Sequence, residues 1–100
     1  MVKVGLLATI KAKAGKESAV AELLSGAVAL ANQEAKTVVW FSFRVDQSTF
    51  GVFDAFADES GRTAHLEGEI AKALMAKADE LLAEPPSIKP VDLLGVKLNA

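Results

Sequence analysis

The chain has 100 residues, with no cysteine, no tyrosine, one tryptophan, one histidine and three prolines. Without cysteine there is no disulfide, thiolate nucleophile, iron–sulfur cluster or cysteine-ligated zinc, a composition that suits a reducing compartment and is read here as cytoplasmic. A single histidine leaves an ordinary zinc site short of ligands, although carboxylates can hold a hard cation; no metal and no cofactor is expected. Neither sign of charge dominates. Eleven basic and 13 acidic residues give a net charge of −2 with no block of like charge, so neither nucleic acid nor an anionic membrane surface meets the positive field it needs. No apolar run approaches the ~20 residues of a membrane span, and no GxxxxGK[ST] or GxGxxG segment offers a cradle for nucleotide phosphates.

What the chain does have is concentrated. Its Trp, its His and all five Phe residues lie between Trp40 and Leu66, and the rest of the sequence carries no aromatic residue. Aromatic side chains with a few polar groups among them are the usual lining of a small-molecule pocket. Here those polar groups are Ser42, Arg44, Asp54 and His65. Phe residues also fill cores, so the argument for a site rests on the polar members.

One hundred residues make a single domain, 1–100, able to bury a core without staples. Lys3, the apolar run Val4 to Ile10 and Ala12-Lys13-Ala14 imitate a signal peptide but fall short of its usual length of about 15–30 residues. The alternation of Val2, Val4, Leu6, Ala8 and Ile10 with their neighbours predicts a strand instead. Val20, Leu23, Leu24, Ala27, Val28 and Ala31 recur at helical spacing between Lys16 and Gln33. Thr37 to Val45 and Phe50 to Phe56, joined by Asp46-Gln47-Ser48-Thr49, predict a hairpin. Asp58 or Ser60 can cap a second helix that starts near Gly61, carries His65, Leu66, Ile70, Leu74, Ala78 and Leu81 on its apolar side, and stops at Glu84-Pro85-Pro86. Lys72 to Glu80 reads as its solvated face. A last strand is predicted over Ile88 to Leu98.

The order β-α-β-β-α-β predicts an α+β, ferredoxin-like fold, a four-stranded antiparallel sheet with two helices on one face. Pro90 assigns the last strand to an edge. Leu6 with Leu7, Trp40 with Phe41 and Leu93 with Leu94 put apolar residues on both faces of the sheet, so a homodimer packed through the second face is expected.

The topology, the strand end Phe53-Asp54-Ala55-Phe56 and the following Asp58-Glu59-Ser60-Gly61-Arg62-Thr63-Ala64-His65-Leu66 resemble the antibiotic biosynthesis monooxygenase family, the quinol monooxygenase-like dimeric α/β barrels. The resemblance covers nearly the whole chain. It implies ferredoxin-like subunits paired as a dimeric barrel, each with an apolar cavity between sheet and helices. It also implies an activity in which polycyclic phenols, anthrones or quinols are oxidised by O₂ without metal or flavin. A haem-degrading branch holds haem through the His of the second helix. Two positions depart from these patterns: the strand-end Trp frequent in active members is Phe56, and the Asn of the haem-degrading branch aligns with Ala8. Both lower the haem reading, and they leave a non-catalytic dimeric binding or regulatory module as the alternative to an oxygenase.

His65 is the one side chain whose ordinary pKa lies near neutrality, and a quinol or anthrone reacts with O₂ only after losing a proton, so His65 is the expected base. Asp54 interrupts an apolar strand and must be paired, hydrogen-bonded or protonated. Its partner is His65, Arg44 or Ser42, according to the hairpin register. Side chains two apart share a strand face, so Trp40 and Ser42 on one strand, and Val52, Asp54 and Phe56 on the next, are the expected substrate-facing set; the alternative for Trp40 is the dimer contact. A Ser42–His65–Asp54 hydrolase triad is disfavoured, because a mid-strand Ser is poorly placed as a nucleophile.

Overall fold

The computed structural model describes residues 1–98. Eight elements follow in order: β1 (Val4–Lys11), α1 (Glu17–Gly26), α2 (Val28–Ala31), β2 (Val39–Arg44), β3 (Thr49–Phe56), α3 (Glu59–Leu66), α4 (Glu69–Leu81) and β4 (Ser87–Asp92). The strands form one antiparallel sheet in the order β2-β3-β1-β4, with β1 and β3 central and the Pro90 strand at an edge. The predicted ferredoxin-like α+β topology is the one observed.

Three boundaries differ from the periodic reading, each for a local reason. The first helical stretch divides at Gly26-Ala27 into α1 and the single-turn α2. The second divides at Glu67-Gly68, where Gly68 becomes the extended cap of α4. β4 ends at Asp92, not Leu98, with Asp92 opposite Val4, the first residue of β1. One more bond, from Leu93 N–H to the Lys3 carbonyl, closes the ladder.

Register sorts the faces. Leu6, Ala8 and Ile10 of β1 stand opposite Asp54, Val52 and Phe50 of β3, which in turn stand opposite Trp40, Ser42 and Arg44 of β2. This is the face the helices cover. Ile10, Phe50 and Val52 pack there with Val20 and Leu24 of α1 and Leu81 and Leu82 at the end of α4. The other face carries Leu7, Phe41 and Phe43, which are exposed, and Phe53, which is half-buried. No element of the chain's described residues covers those rings.

Two glycines on that open face make contrasting demands. A Cβ at Gly5 would lie 2.7 Å from the Asp54 carbonyl oxygen, part of the central ladder, whereas one at Gly51 would meet the ring of Phe43. A backbone carbonyl cannot yield without breaking sheet hydrogen bonds, but an exposed ring can rotate away. Gly5→Ala is therefore expected to cost about 1–3 kcal/mol, the range of overpacking, and Gly51→Ala less. Urea unfolding of the two variants side by side checks the order.

Candidate functional site

β3 aims Asp54 and Phe56 at the helix side, and α3 lays His65 across both. The start of α3 is fixed by Asp58, whose Oδ1 accepts from Ser60 N–H (3.0 Å) and Gly61 N–H (3.3 Å). Arg62 ties the same helix to the sheet, donating to the carbonyls of Gly5 (3.3 Å) and Val91 (3.4 Å) while pairing with Glu59. So held, His65 is buried, with Nε2 2.9 Å from Asp54 Oδ2 and Nδ1 2.7 Å from Glu34 Oε1. Thr37 Oγ1 donates to the same Glu34 oxygen at 2.8 Å. The imidazole lies 5.5 Å from the Phe56 ring, centroid to centroid, at 44°.

The protonation state follows from that geometry. A neutral imidazole has one N–H and would direct its other nitrogen's lone pair at a carboxylate, whereas an imidazolium donates to both. Burial alone disfavours the cation, but the hydrogen bonds to Asp54 and Glu34 and the charges of those groups outweigh it and lift the His65 pKa from 6.5 to about 8. At neutral pH both ring nitrogens carry hydrogen. His65 is thus a charged bridge without a free lone pair, and the oxygen left without a partner is Asp54 Oδ1.

A cavity of about 60 Å³ lies beside this bridge, and with its solvent-open mouth it encloses about 580 Å³. Leu6, Ala8, Val52 and Asp54 of the central strands form the floor, Leu23, Leu24, Ile70 and Leu74 stand as walls, and the exposed Leu66 and Ile88 mark the rim. Among the described residues, Asp54 and His65 are the only polar side chains in the lining. A second cleft of about 160 Å³, lined by Glu34, Lys36, Thr37, Gly61, Ala64 and His65, lies on the Glu34 side. His65 belongs to both linings and separates them.

Of the residues singled out in the sequence, Val52, Asp54 and His65 line the cavity, and Trp40, Ser42 and Phe56 do not. Ser42 donates to the Leu24 carbonyl at 3.1 Å, a bond between β2 and α1. Phe56 is fully buried against His65. Trp40 is opposite Asp54 on the helix side, not on the open face, and its buried Nε1 has no partner. Arg44 lies over the Phe50 ring (4.7 Å) and donates to the Gln47 carbonyl (3.4 Å), so the partner of Asp54 is His65. Glu34 was not legible as a site residue. It stands in the turn after α2, 31 positions from His65, where no periodicity marks it. The one signal is steric: a Cβ at Gly68 would lie 2.9 Å from Glu34 Oε2, so the glycine that divides α3 from α4 also admits the carboxylate.

Among the described residues no group of three or more His, Asp or Glu side chains is arranged to hold a metal ion. Haem does not fit His65 as it stands, because a ring nitrogen must first lose its proton and its carboxylate partner before it can ligate iron.

The raised pKa makes a pH prediction with a definite sign. A cation favoured in the folded state contributes stability that is fully present below about pH 6.5, the unfolded value, and is lost as pH rises through about 8. Thermal melting should therefore move to lower temperature across that window. NMR titration of the single histidine should give a pKa near 8, falling toward 6.5 in Glu34→Gln and, by displacement of the carboxylate, in Gly68→Ala.

No known family profile matches the chain, and neither does any curated protein. Solved structures do. The chain is 54% identical to NE2512 of Nitrosomonas europaea, a protein of unknown function, covering 100% of this chain and 97% of that one with a TM-score of 0.98. PA3566 of Pseudomonas aeruginosa is 23% identical over 95% of this chain and 97% of its own, with a TM-score of 0.80. A structure named as an antibiotic biosynthesis monooxygenase is 16% identical over 92% and 99%, with a TM-score of 0.79. The chain belongs to one family with NE2512 and has the fold of the antibiotic biosynthesis monooxygenases.

Proposed function

We propose that this chain is a cofactor-independent monooxygenase, cytoplasmic and homodimeric, that oxidises a quinol- or anthrone-like aromatic molecule with O₂ in the cavity beside Asp54. The observation that carries this reading is the continuous hydrogen-bonded path from the cavity through Asp54, His65 and Glu34 to the outer cleft. A hydroxyl of the substrate gives its proton to Asp54 Oδ1, and the imidazolium, held on its far side by Glu34, stabilises the anion that forms. For an anthrone-type substrate the deprotonated ring then reduces O₂: its CH₂ becomes C=O, one oxygen atom is retained, and the other leaves as water with the two hydrogens. The substrate supplies all four electrons. The enclosed 60 Å³ takes the hydroxyl end of such a molecule, and the mouth takes the rest.

The alternative is a dimeric module that binds a ligand and does no chemistry. Two observations favour it: a ring clamped on both nitrogens makes a good structural bridge, and no tyrosine is present to share a radical or a proton. The proposed dimer packs open sheet face against open sheet face, which removes Leu7, Phe41 and Phe43 from water.

Oxygen uptake by metal-free protein with a panel of quinols and anthrones separates the two. The oxygenase reading expects turnover that drops about 10²-fold or more in Asp54→Asn and in His65→Ala; uptake no faster than the uncatalysed rate with every compound selects the binding module. Light scattering tests the assembly. A mass twice the 10.5 kDa subunit that falls to one subunit in Phe41→Asp is expected, and an unmodified chain that is already monomeric ends the dimer proposal.

A further inference from the structure

The two carboxylates that hold His65 are not equivalent. Asp54 is on the central strand β3 with its side chain 3% exposed, and its second oxygen is buried without a partner. Glu34 is on the turn after α2, is 19% exposed, and accepts a further hydrogen bond from Thr37 at 2.8 Å. It also lines the outer cleft of about 160 Å³. The other groups around the ring do not alter this asymmetry. Lys36, in the lining of the same cleft, has its Nζ 3.4 Å from Ser60 Oγ. Arg62 of α3 turns to Glu59 and the sheet carbonyls. Leu6 and Ala8 of β1 and Ile70 and Leu74 of α4, in the cavity lining, bring no charge.

A cationic ring donates to both acids, but a neutral ring has one N–H left to give. Kept at Nδ1, that N–H would leave Asp54 a buried carboxylate with no donor on either oxygen. Kept at Nε2, it leaves Glu34 with the Thr37 hydroxyl and with water in the cleft. A buried charge stripped of its partner is the costlier of the two, so the bond that opens is the one to Glu34.

We infer that Glu34 is a positioning residue that acts on the cavity through His65: it holds the ring charged from the cleft side, and it is the partner that lets go when the ring becomes neutral. The bond from His65 to Asp54 persists in both charge states. The imidazole therefore changes charge without changing its place in the cavity wall, and its free lone pair emerges at Nδ1, toward the cleft. The tautomer follows from the bridge alone; its effect on rate rests on the oxygenase reading, in which the imidazolium stabilises the anion formed beside Asp54.

A single histidine makes the ring's ¹⁵N and ¹H NMR signals unambiguous. At about pH 10, above the His65 pKa of about 8, the unmodified protein should hold the proton at Nε2 over Nδ1 by about tenfold or more, the scale of one hydrogen bond to a charged group. Asp54→Asn removes the reason for that choice, and its neutral ring should keep the proton at Nδ1, against Glu34. A dominant Nδ1–H form in the unmodified protein, an even mixture, or a ring still cationic at that pH overturns the inference; the unmodified protein decides alone if the variant does not fold. Where a quinol or anthrone is turned over, kcat/KM should fall above about pH 8, and in Glu34→Gln that limb should move down toward 6.5, with rate recovered on acidification. A Glu34 that only braces its turn would lower the profile without moving it, so an unmoved limb overturns the positioning role. Absence of turnover ends the oxygenase reading and leaves the tautomer measurement to decide this one.

Discussion

The placement of one buried cation between two carboxylates governs both the fold around the site and its chemistry. His65 bonds to Glu34 on one side and Asp54 on the other, and so joins three segments distant in sequence: the turn after α2, the central strand β3 and helix α3. A buried charge that loses one partner is left uncompensated, which is far more costly than the pair is stabilising. The surrounding residues all act to keep the clamp closed. Thr37 steadies Glu34, Gly68 makes room for it, Asp58 and Arg62 hold α3 in place, and Phe56 supports the ring from behind.

The same clamp divides space. The cavity lies on one side of the imidazole and a solvent-facing cleft on the other, and His65 is in the lining of both. This assigns different tasks to residues that look equivalent in sequence. Asp54 belongs to the cavity lining and keeps one buried oxygen without a partner. His65 sets the charge of that group and fixes its orientation. Glu34, half-buried at the cleft, connects the bridge to water.

Much of this was legible beforehand, because Val2 to Ile10 alternates with period two and Phe50 to Phe56 is rich in aromatic residues after a run of turn residues. Strand parity put Asp54 and Phe56 on one face, and spacing put His65 on the apolar side of a helix, so their meeting was foreseeable. The hairpin register was not, since a one-residue change in the turn moves every partner of β2; only the observed pairing puts Trp40 on the helix side and Ser42 beyond the cavity. Glu34 lay outside any periodic element. His65 was expected as the base, and the structure sets it between two carboxylates, Asp54 and Glu34, of which only Asp54 was singled out in the sequence.

The most direct measurement is a crystal structure of the protein with a non-oxidisable phenol bound under anaerobic conditions. The account predicts the ligand oxygen within about 3 Å of Asp54 Oδ1, ordinary hydrogen-bond range, with His65 still bridging Asp54 and Glu34. A phenol bonded to His65 Nε2 with Asp54 displaced, or one seated away from the cavity, would contradict it.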